Sequence, residues 1–187
     1  IRNERECFRV TILQVDQLTK KIKGMPIIQD VSFKLDEGQI VGLVGANGAG
    51  KTTLMKVILG LSNYQDGSYK VRANTNNKSN TGALIESPGV YPFLTGYDNL
   101  KLLCESKEKN AIDDIVKKLK MDRYIHKKAK TYSLGMKQKL GIAIAFLNHP
   151  QLIVLDEPMN GLDPKAVRDV RELIVETAKQ GTTFLIS

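Results

Sequence analysis

The stretch Ile40-Val-Gly-Leu-Val-Gly45-Ala-Asn-Gly-Ala-Gly50-Lys-Thr-Thr-Leu-Met-Lys-Val-Ile-Leu59-Gly60 decides how this chain folds. Ile40 to Val44 is a continuous apolar run, too short for a helix and suited to a strand buried on both faces. Gly45 to Gly50 interrupts it, Lys51 to Leu59 then has helical character, and Gly60 is placed to cap the helix C-terminus. The loop fits G-x-x-x-x-G-K-[ST] between a strand and a helix, the context that pattern requires. Glycines at 45, 48 and 50 let the backbone curl so that N–H groups point inward, forming an anion nest at a helix N-terminus. Lys51 adds positive charge for β- and γ-phosphates, and the Thr52 hydroxyl is a Mg²⁺ ligand. Gly45, Ala46, Asn47, Gly48, Ala49, Gly50, Lys51, Thr52 and Thr53 therefore read as a nucleotide-binding site.

On the N-terminal side, Thr11 to Asp16 is a short β-rich run and Ile27 to Leu35 alternates around Ile28, Val31, Phe33 and Leu35. Asp36-Glu37-Gly38 reads as a turn, and the polar residues 73–82 as a loop. The period then changes. Ile112, Ile115, Val116 and Leu119 make one helical face, with Asn110 as a cap, Asp113 and Asp114 near the start and Lys117 and Lys118 near the end. Ser133 is placed to cap a helix running to about Asn148, and Leu152 to Leu155 is a second short buried strand. Asp163-Pro164 opens a helix with the stripe Val167, Val170, Ile174 and Ala178; Gly181 ends it before a strand from Thr182 to Ile186. Strand, glycine loop, helix and later apolar strands predict an α/β domain with a largely parallel sheet, in which about Thr95 to Lys139 is a helical insertion.

At 187 residues, with 42% hydrophobic and 26% charged residues, the chain is one domain's worth and long enough to bury a sizeable core. The longest apolar run, Leu140 to Leu147, falls far short of a membrane span, and no apolar stretch follows the charged opening, so no signal peptide is expected. Cys7 and Cys104 lack metal-ligand spacing, which fits a reduced cytoplasmic setting. The net charge is +8, and between Lys101 and Lys139 twelve basic residues face five acidic ones. Nucleic acid, an anionic membrane surface, a polyphosphate or simply a solvated helical face all accord with that surplus.

Leu152-Ile-Val-Leu-Asp156-Glu157 ends a buried strand in two acids at its C-terminal edge, where ligands collect in open α/β sheets. Asp156 is placed to hold Mg²⁺ through its waters, and Glu157 to polarise a water for attack on a γ-phosphate. Tyr132-Ser-Leu-Gly135-Met-Lys-Gln-Lys139 precedes this pair and opens a helix, and Asn160-Gly-Leu-Asp163 follows it. In this order the motifs resemble the nucleotide-binding subunit of an ABC transporter, and the resemblance covers essentially the whole chain. It implies a single domain over 1–187: a P-loop NTPase core, an N-terminal antiparallel β subdomain and a helical subdomain over about 93–145. It implies ATP and Mg²⁺ as cofactors, with Thr52, Glu86 and Asp156 around the metal and Glu157 and Glu86 catalytic. It also implies an ATP-dependent head-to-tail dimer, in which Ser133, Leu134, Gly135 and Met136 cap ATP on the opposite subunit. Asn160, Gly161, Leu162 and Asp163 form the dimer loop.

The departures carry further expectations. Leu134 replaces a glycine and Met136 the glutamine of the family's usual Leu-Ser-Gly-Gly-Gln. Glu86, in Ala83-Leu-Ile-Glu86-Ser-Pro-Gly-Val-Tyr-Pro-Phe-Leu-Thr-Gly-Tyr-Asp-Asn-Leu100, stands where the family has glutamine. Together with Tyr-Ser-Leu-Gly-Met, it is similar to the branch that exports or confers immunity to bacitracin and lantibiotic peptides. Ile22 takes the position of the ring that stacks on adenine. The family's switch histidine follows the strand begun at Thr182, so a C-terminal truncation is expected. The resemblance implies a separate membrane-spanning permease, held in a groove around Pro88 to Leu100, and a place on the inner face of the cell membrane. A soluble ABC-type ATPase acting on nucleic acid or ribosomes is the alternative, although no heptad array or second domain accompanies it and no nucleic acid is expected as partner. A GTP switch is excluded because Asn77-Lys-Ser-Asn80 fails the Asn-Lys-x-Asp pattern at its last position. A nucleotide-binding module without turnover stays open.

Overall fold

The computed structural model describes residues 10–72, 81–105 and 110–187. The opening residues with Cys7, the run 73–80 with Asn77 to Asn80, and 106–109 with Lys107 and Lys109 lie outside the described residues. Along the chain the elements are β1 (Thr11–Ile22), β2 (Met25–Asp36), β3 (Ile40–Gly42), α1 (Lys51–Ile58), β4 (Asp66–Val71), β5 (Thr81–Leu84) and α2 (Gly96–Leu103). There follow α3 (Ala111–Lys118), α4 (Leu134–Phe146), β6 (Leu152–Leu155), α5 (Pro164–Lys179) and β7 (Thr183–Ile186). An antiparallel sheet has the order β2-β1-β4, and a parallel sheet the order β3-β7-β6-β5.

The first two strands run longer than their alternation predicts, each over 12 residues. Lys23 and Gly24 close the hairpin with φ of +51° and +82°, the two left-handed residues of a two-residue turn whose twist matches the strands. Lys-Gly is a weak turn signal, and the shifts of register between Val15 and Lys20 break the alternation that would have revealed the strand's length.

The parallel sheet divides the interior in two. Alternate side chains of a strand point to opposite faces. Accordingly Leu152, Val154 and Leu185 join β1, β2 and α1 in one core, with Leu13, Leu18, Leu35 and Met55 fully buried. Ile153, Leu155 and Phe184 face the other way, into a core built with α2 to α5 around Leu100, Leu119, Leu140 and Ile142. The predicted helical insertion is thus packed directly on the sheet. β3 departs from expectation: it ends at Gly42, pairs only with β7 and is not buried on both faces. Ile40 is 46% and Val44 98% exposed, because β3 lies at the edge of the described sheet.

Helix ends follow local chemistry with one exception. Leu61 N–H donates to Lys56 O and Gly60 N–H to Val57 O, a Schellman closure with Gly60 at φ +70°. The Ser133 hydroxyl accepts from Met136 N–H at 3.3 Å, and α4 ends at Phe146, two residues before the expected stop. Asn110 makes no side-chain cap bond; its φ of −108° and ψ of −2° are not the extended geometry that turns a capping side chain onto the helix. The stripe of α5 is centred on Ala166, Val170, Leu173 and Ile174, leaving Val167 half-buried, and the buried Asp169 accepts from Lys120 Nζ at 2.5 Å. Two strand residues, Thr81 and Gly82, end the predicted 73–82 loop early. A Cβ on Gly82 would collide with the Ala145 carbonyl, and one on Gly141 would lie 2.8 Å from Pro88 Cβ and 2.9 Å from Leu84 Cδ1. β5 and α4 therefore meet backbone to backbone.

This packing can be tested at two residues. Gly82→Ala forces β5 off α4, so urea unfolding of the full-length protein should show a loss of about 3 kcal/mol or more. The second residue is Asp163, whose carboxylate accepts from Lys165 N–H at 2.9 Å and Ala166 N–H at 2.8 Å. The Ala166 N–H chiefly, helped by Lys165 N–H and the charges of Lys139 and Lys165, holds its carboxyl below the ordinary value of 3.8. A lowered folded pKa gives stability that is fully present above 3.8 and lost as pH falls through the lowered value. The difference in melting temperature between wild type and Asp163→Ala should therefore be full at neutral pH and shrink on acidification below that point.

Candidate functional site

The loop from Gly45 to Thr52 sits between β3 and α1 as its spacing requires. Gly48 and Gly50 have φ of +84° and +89°, and a Cβ on Gly50 would lie 2.6 Å from the Ile27 carbonyl. Gly50 is therefore fixed twice, by handedness and by the β2 backbone beside it. Lys51 Nζ donates to Gly45 O at 2.8 Å and Ala46 O at 3.1 Å, so the loop's carbonyls hold the ammonium over the nest. A cleft of about 340 Å³ opens here, lined by Ile22, Ile27, Asn47, Gly48, Gly50, Lys51, Thr52, Thr53 and Glu157. Ile22 lies at its wall, 44% exposed, with Ile27 beside it.

At the far end of β6, Asp156 is 6% exposed and receives two hydroxyl donors. Thr52 Oγ1 donates to Oδ2 at 2.7 Å, and Ser187 Oγ donates to Oδ1 at 2.7 Å. Ser187 Oγ in turn accepts from Glu157 N–H at 2.9 Å, which fixes the next residue. Glu157 has φ +46°, an uncommon conformation for a residue with a side chain, and its Oε2 accepts from Asn160 Nδ2 at 2.5 Å. The hydroxyl of Thr52 and the carboxylate of Asp156 are hard oxygen donors brought within one hydrogen bond of each other at an anion nest. That donor set fits Mg²⁺, which takes one or two protein oxygens and completes its shell with phosphate and water.

Glu86 follows β5 with φ +59°, and its Oε1 lies 2.6 Å from Lys56 Nζ. It is not among the residues lining the nucleotide cleft. Ser133, Leu134, Gly135 and Met136 come together with Gly161, Leu162 and Asp163 around a second cleft of about 410 Å³, which includes none of the glycine-loop residues. A Cβ on Gly135 would lie 2.7 Å from the Gly161 carbonyl, and the Leu134 side chain lies against Gly161. Behind Ser133, Tyr132 is buried, which raises its hydroxyl pKa; that hydroxyl donates to Tyr124 O at 2.9 Å and rests on Gly96, where a Cβ would collide with it. One chain thus presents two separate clefts, one at the glycine loop and one at the serine-capped start of α4.

Four contributors escaped the sequence reading. Ser187 and Lys56 gave no local signal, since their partners lie 31 and 30 residues away. Ile27 was read only as a strand residue. Gln138 did carry a signal, as a lone amide in the apolar α4: buried, it donates to Pro158 O at 3.1 Å and ties α4 to the residues after Glu157.

Comparison with known proteins accords with this geometry. The profile of the ABC transporter family matches residues 28–160. Among curated relatives, the chain is 42% identical over 186 residues to the ABC transporter ATP-binding protein YdbJ of Bacillus subtilis strain 168, covering 94% of this chain and 60% of that protein. It is 37% identical to the bacitracin transport ATP-binding protein BcrA of Enterococcus faecalis, with the same coverage of 94% and 60%. Identity is 35% to the lantibiotic transport ATP-binding protein SrtF of Streptococcus pyogenes, with 94% and 79% covered. The chain therefore spans about three-fifths of the length of the first of these relatives. A solved ATP-binding subunit of an ABC transporter superposes with a TM-score of 0.83 at 29% identity, covering 95% of this chain and 79% of that one. On sequence and fold alike, the chain belongs to the ABC transporter family and to its ATP-binding proteins.

Proposed function

We propose that this protein is the ATP-hydrolysing subunit of a bacterial transporter that exports, or confers immunity to, antimicrobial peptides such as bacitracin and lantibiotics. The observation that carries the catalytic part is the convergence of the glycine loop, Asp156 and Glu157 at one cleft. Glu86, the Tyr-Ser-Leu-Gly-Met sequence and the transport functions named for BcrA and SrtF support the peptide branch.

The chain's own residues supply most of the chemistry. The N–H groups of the loop and Lys51 hold the triphosphate, and the carbonyls of Gly45 and Ala46 keep Lys51 in place until phosphate oxygens replace them. Ile22 and Ile27 give the base an apolar surface and no directional hydrogen bond. Thr52 and Asp156 would hold Mg²⁺, with Glu86 near the metal once released from Lys56; bound there, Mg²⁺ neutralises charge on the phosphate oxygens. Glu157, held by Asn160 and by its backbone bond to Ser187, accepts a proton from the attacking water.

Two half-sites on one chain support a head-to-tail dimer, homomeric or heteromeric, that sandwiches each nucleotide between one subunit's loop and the other's Ser133 to Met136. Asn160 to Asp163 would line the seam. No helix among the described residues is long and apolar enough to cross a membrane. The transport path would belong to a separate permease, docked around Pro88 to Leu100 with this subunit on the inner face of the membrane.

In the full-length protein, Glu157→Gln should lower Mg·ATP turnover about 10²-fold or more while ATP still binds and drives dimerisation in sedimentation. Turnover at the wild-type rate would remove Glu157 as the base. Cells that carry the protein should lose bacitracin or lantibiotic tolerance when its gene is deleted, and lose it equally with Lys51→Ala. Tolerance unaffected by the deletion would reject the peptide branch and leave the ATPase intact.

A further inference from the structure

We propose that Lys56 is a positioning residue for Glu86: it holds the carboxylate on α1 and thereby sets how much Mg²⁺ the nucleotide cleft demands. The inference rests on the nucleotide reading of that cleft and deepens it. Glu86 Oε1 and Lys56 Nζ are 2.6 Å apart, with the side chains 63% and 33% exposed. Lys56 stands four residues after Thr52 in α1, so the two share a helix face about 5–6 Å apart at Cβ. The Thr52 hydroxyl is already engaged with Asp156 at 2.7 Å. The residue that holds the carboxylate therefore stands one helical turn from the residue whose hydroxyl would ligate Mg²⁺.

Leu84, two residues before Glu86, accepts from Asp156 N–H at 2.8 Å, so the carboxylate would have two cations to choose between, the Lys56 ammonium and a divalent cation held at Thr52 and Asp156. A monodentate pair cannot satisfy both fully, and in the structure the carboxylate is on Lys56. Its backbone is in the left-handed region at φ +59°, a conformation that costs energy in a residue with a side chain and gathers at sites where a group must be aimed. The pair is exposed and hence weak, which lets a divalent cation compete for it. An amide at position 86 would make no ion pair with the ammonium. The role assigned to Lys56 thus exists only because residue 86 is glutamate.

The dependence can be read without turnover. A fluorescent ATP analogue bound to the full-length protein is titrated with Mg²⁺, and the half-saturating Mg²⁺ concentration is measured. Lys56→Met should lower that concentration about threefold, because the freed carboxylate adds to the cation's ligands. Lys56→Arg, which keeps the pair, should restore the wild-type value. In a Glu86→Gln background Lys56→Met should move it little. No shift for Lys56→Met would overturn the proposal. Equal shifts in the wild-type and Glu86→Gln backgrounds would also overturn it, since Lys56 would then act through its own charge. Lys51→Ala serves as the separate arm: if the analogue still binds there, the nucleotide reading of the cleft fails, whatever Lys56 does.

Discussion

The Asp156 carboxylate is the constraint on which the cleft depends. Its strand, β6, is wholly buried from Leu152 to Leu155, so the backbone that carries it has no freedom to shift. Asp156 N–H donates to Leu84 O at 2.8 Å, which adds β5 to the same junction. A buried carboxylate without partners is costly. The two hydroxyls that satisfy this one come from α1 and from the residue that follows β7. One side chain therefore registers the ends of three elements against each other. The glycine loop, Glu157 and the Asn160 turn take their places from it.

What could be read in advance was what neighbouring residues determine. The glycine loop, the Gly60 closure, the Asp163 cap and the buried β6 run each depend on residues within a few positions. Periodicity located α3 and α5, and the Ser133 cap located α4, for the same reason. The misses are non-local. β5 was hidden in a polar stretch because Thr81 and Gly82 are chosen by the approach of α4, not by strand propensity. β4 has only half-buried inward residues, Tyr69 and Val71, and so lacks a strong alternation. Asn110 has the composition of a cap without the geometry, and Val44 the composition of a core residue at an uncovered edge. The Ser187 and Lys56 contacts span the fold, and nothing near either residue announces them.

Two of the departures from the family's usual wording, Glu86 and Leu134, have a local counterpart. Glutamate at 86 brings a charge, and a lysine on α1 answers it. Leucine at 134 brings bulk, and its side chain rests where Gly161, at φ +73°, offers no side chain of its own. The substitutions are not isolated changes in a fixed scaffold. Each is accommodated by a residue from another motif, so each motif's chemistry is tuned by the one it touches.

The glycine contacts between β5 and α4 also have a mechanical meaning. Interfaces in which backbones touch have no long side chains to bend, so they carry force with little compliance. α4 is about 20 Å long, with Ser133 at its N-terminus and Ala145 against Gly82 near its other end. Gly141 adds a second fulcrum on Leu84 and Pro88, on either side of Glu86. α4 is thus held at two points along its length, at Gly141 by the Leu84 and Pro88 side chains and at Ala145 by the backbone of Gly82. The helix is a strut with Ser133 at one end and β5 braced against the other, made stiff by what the glycines leave out.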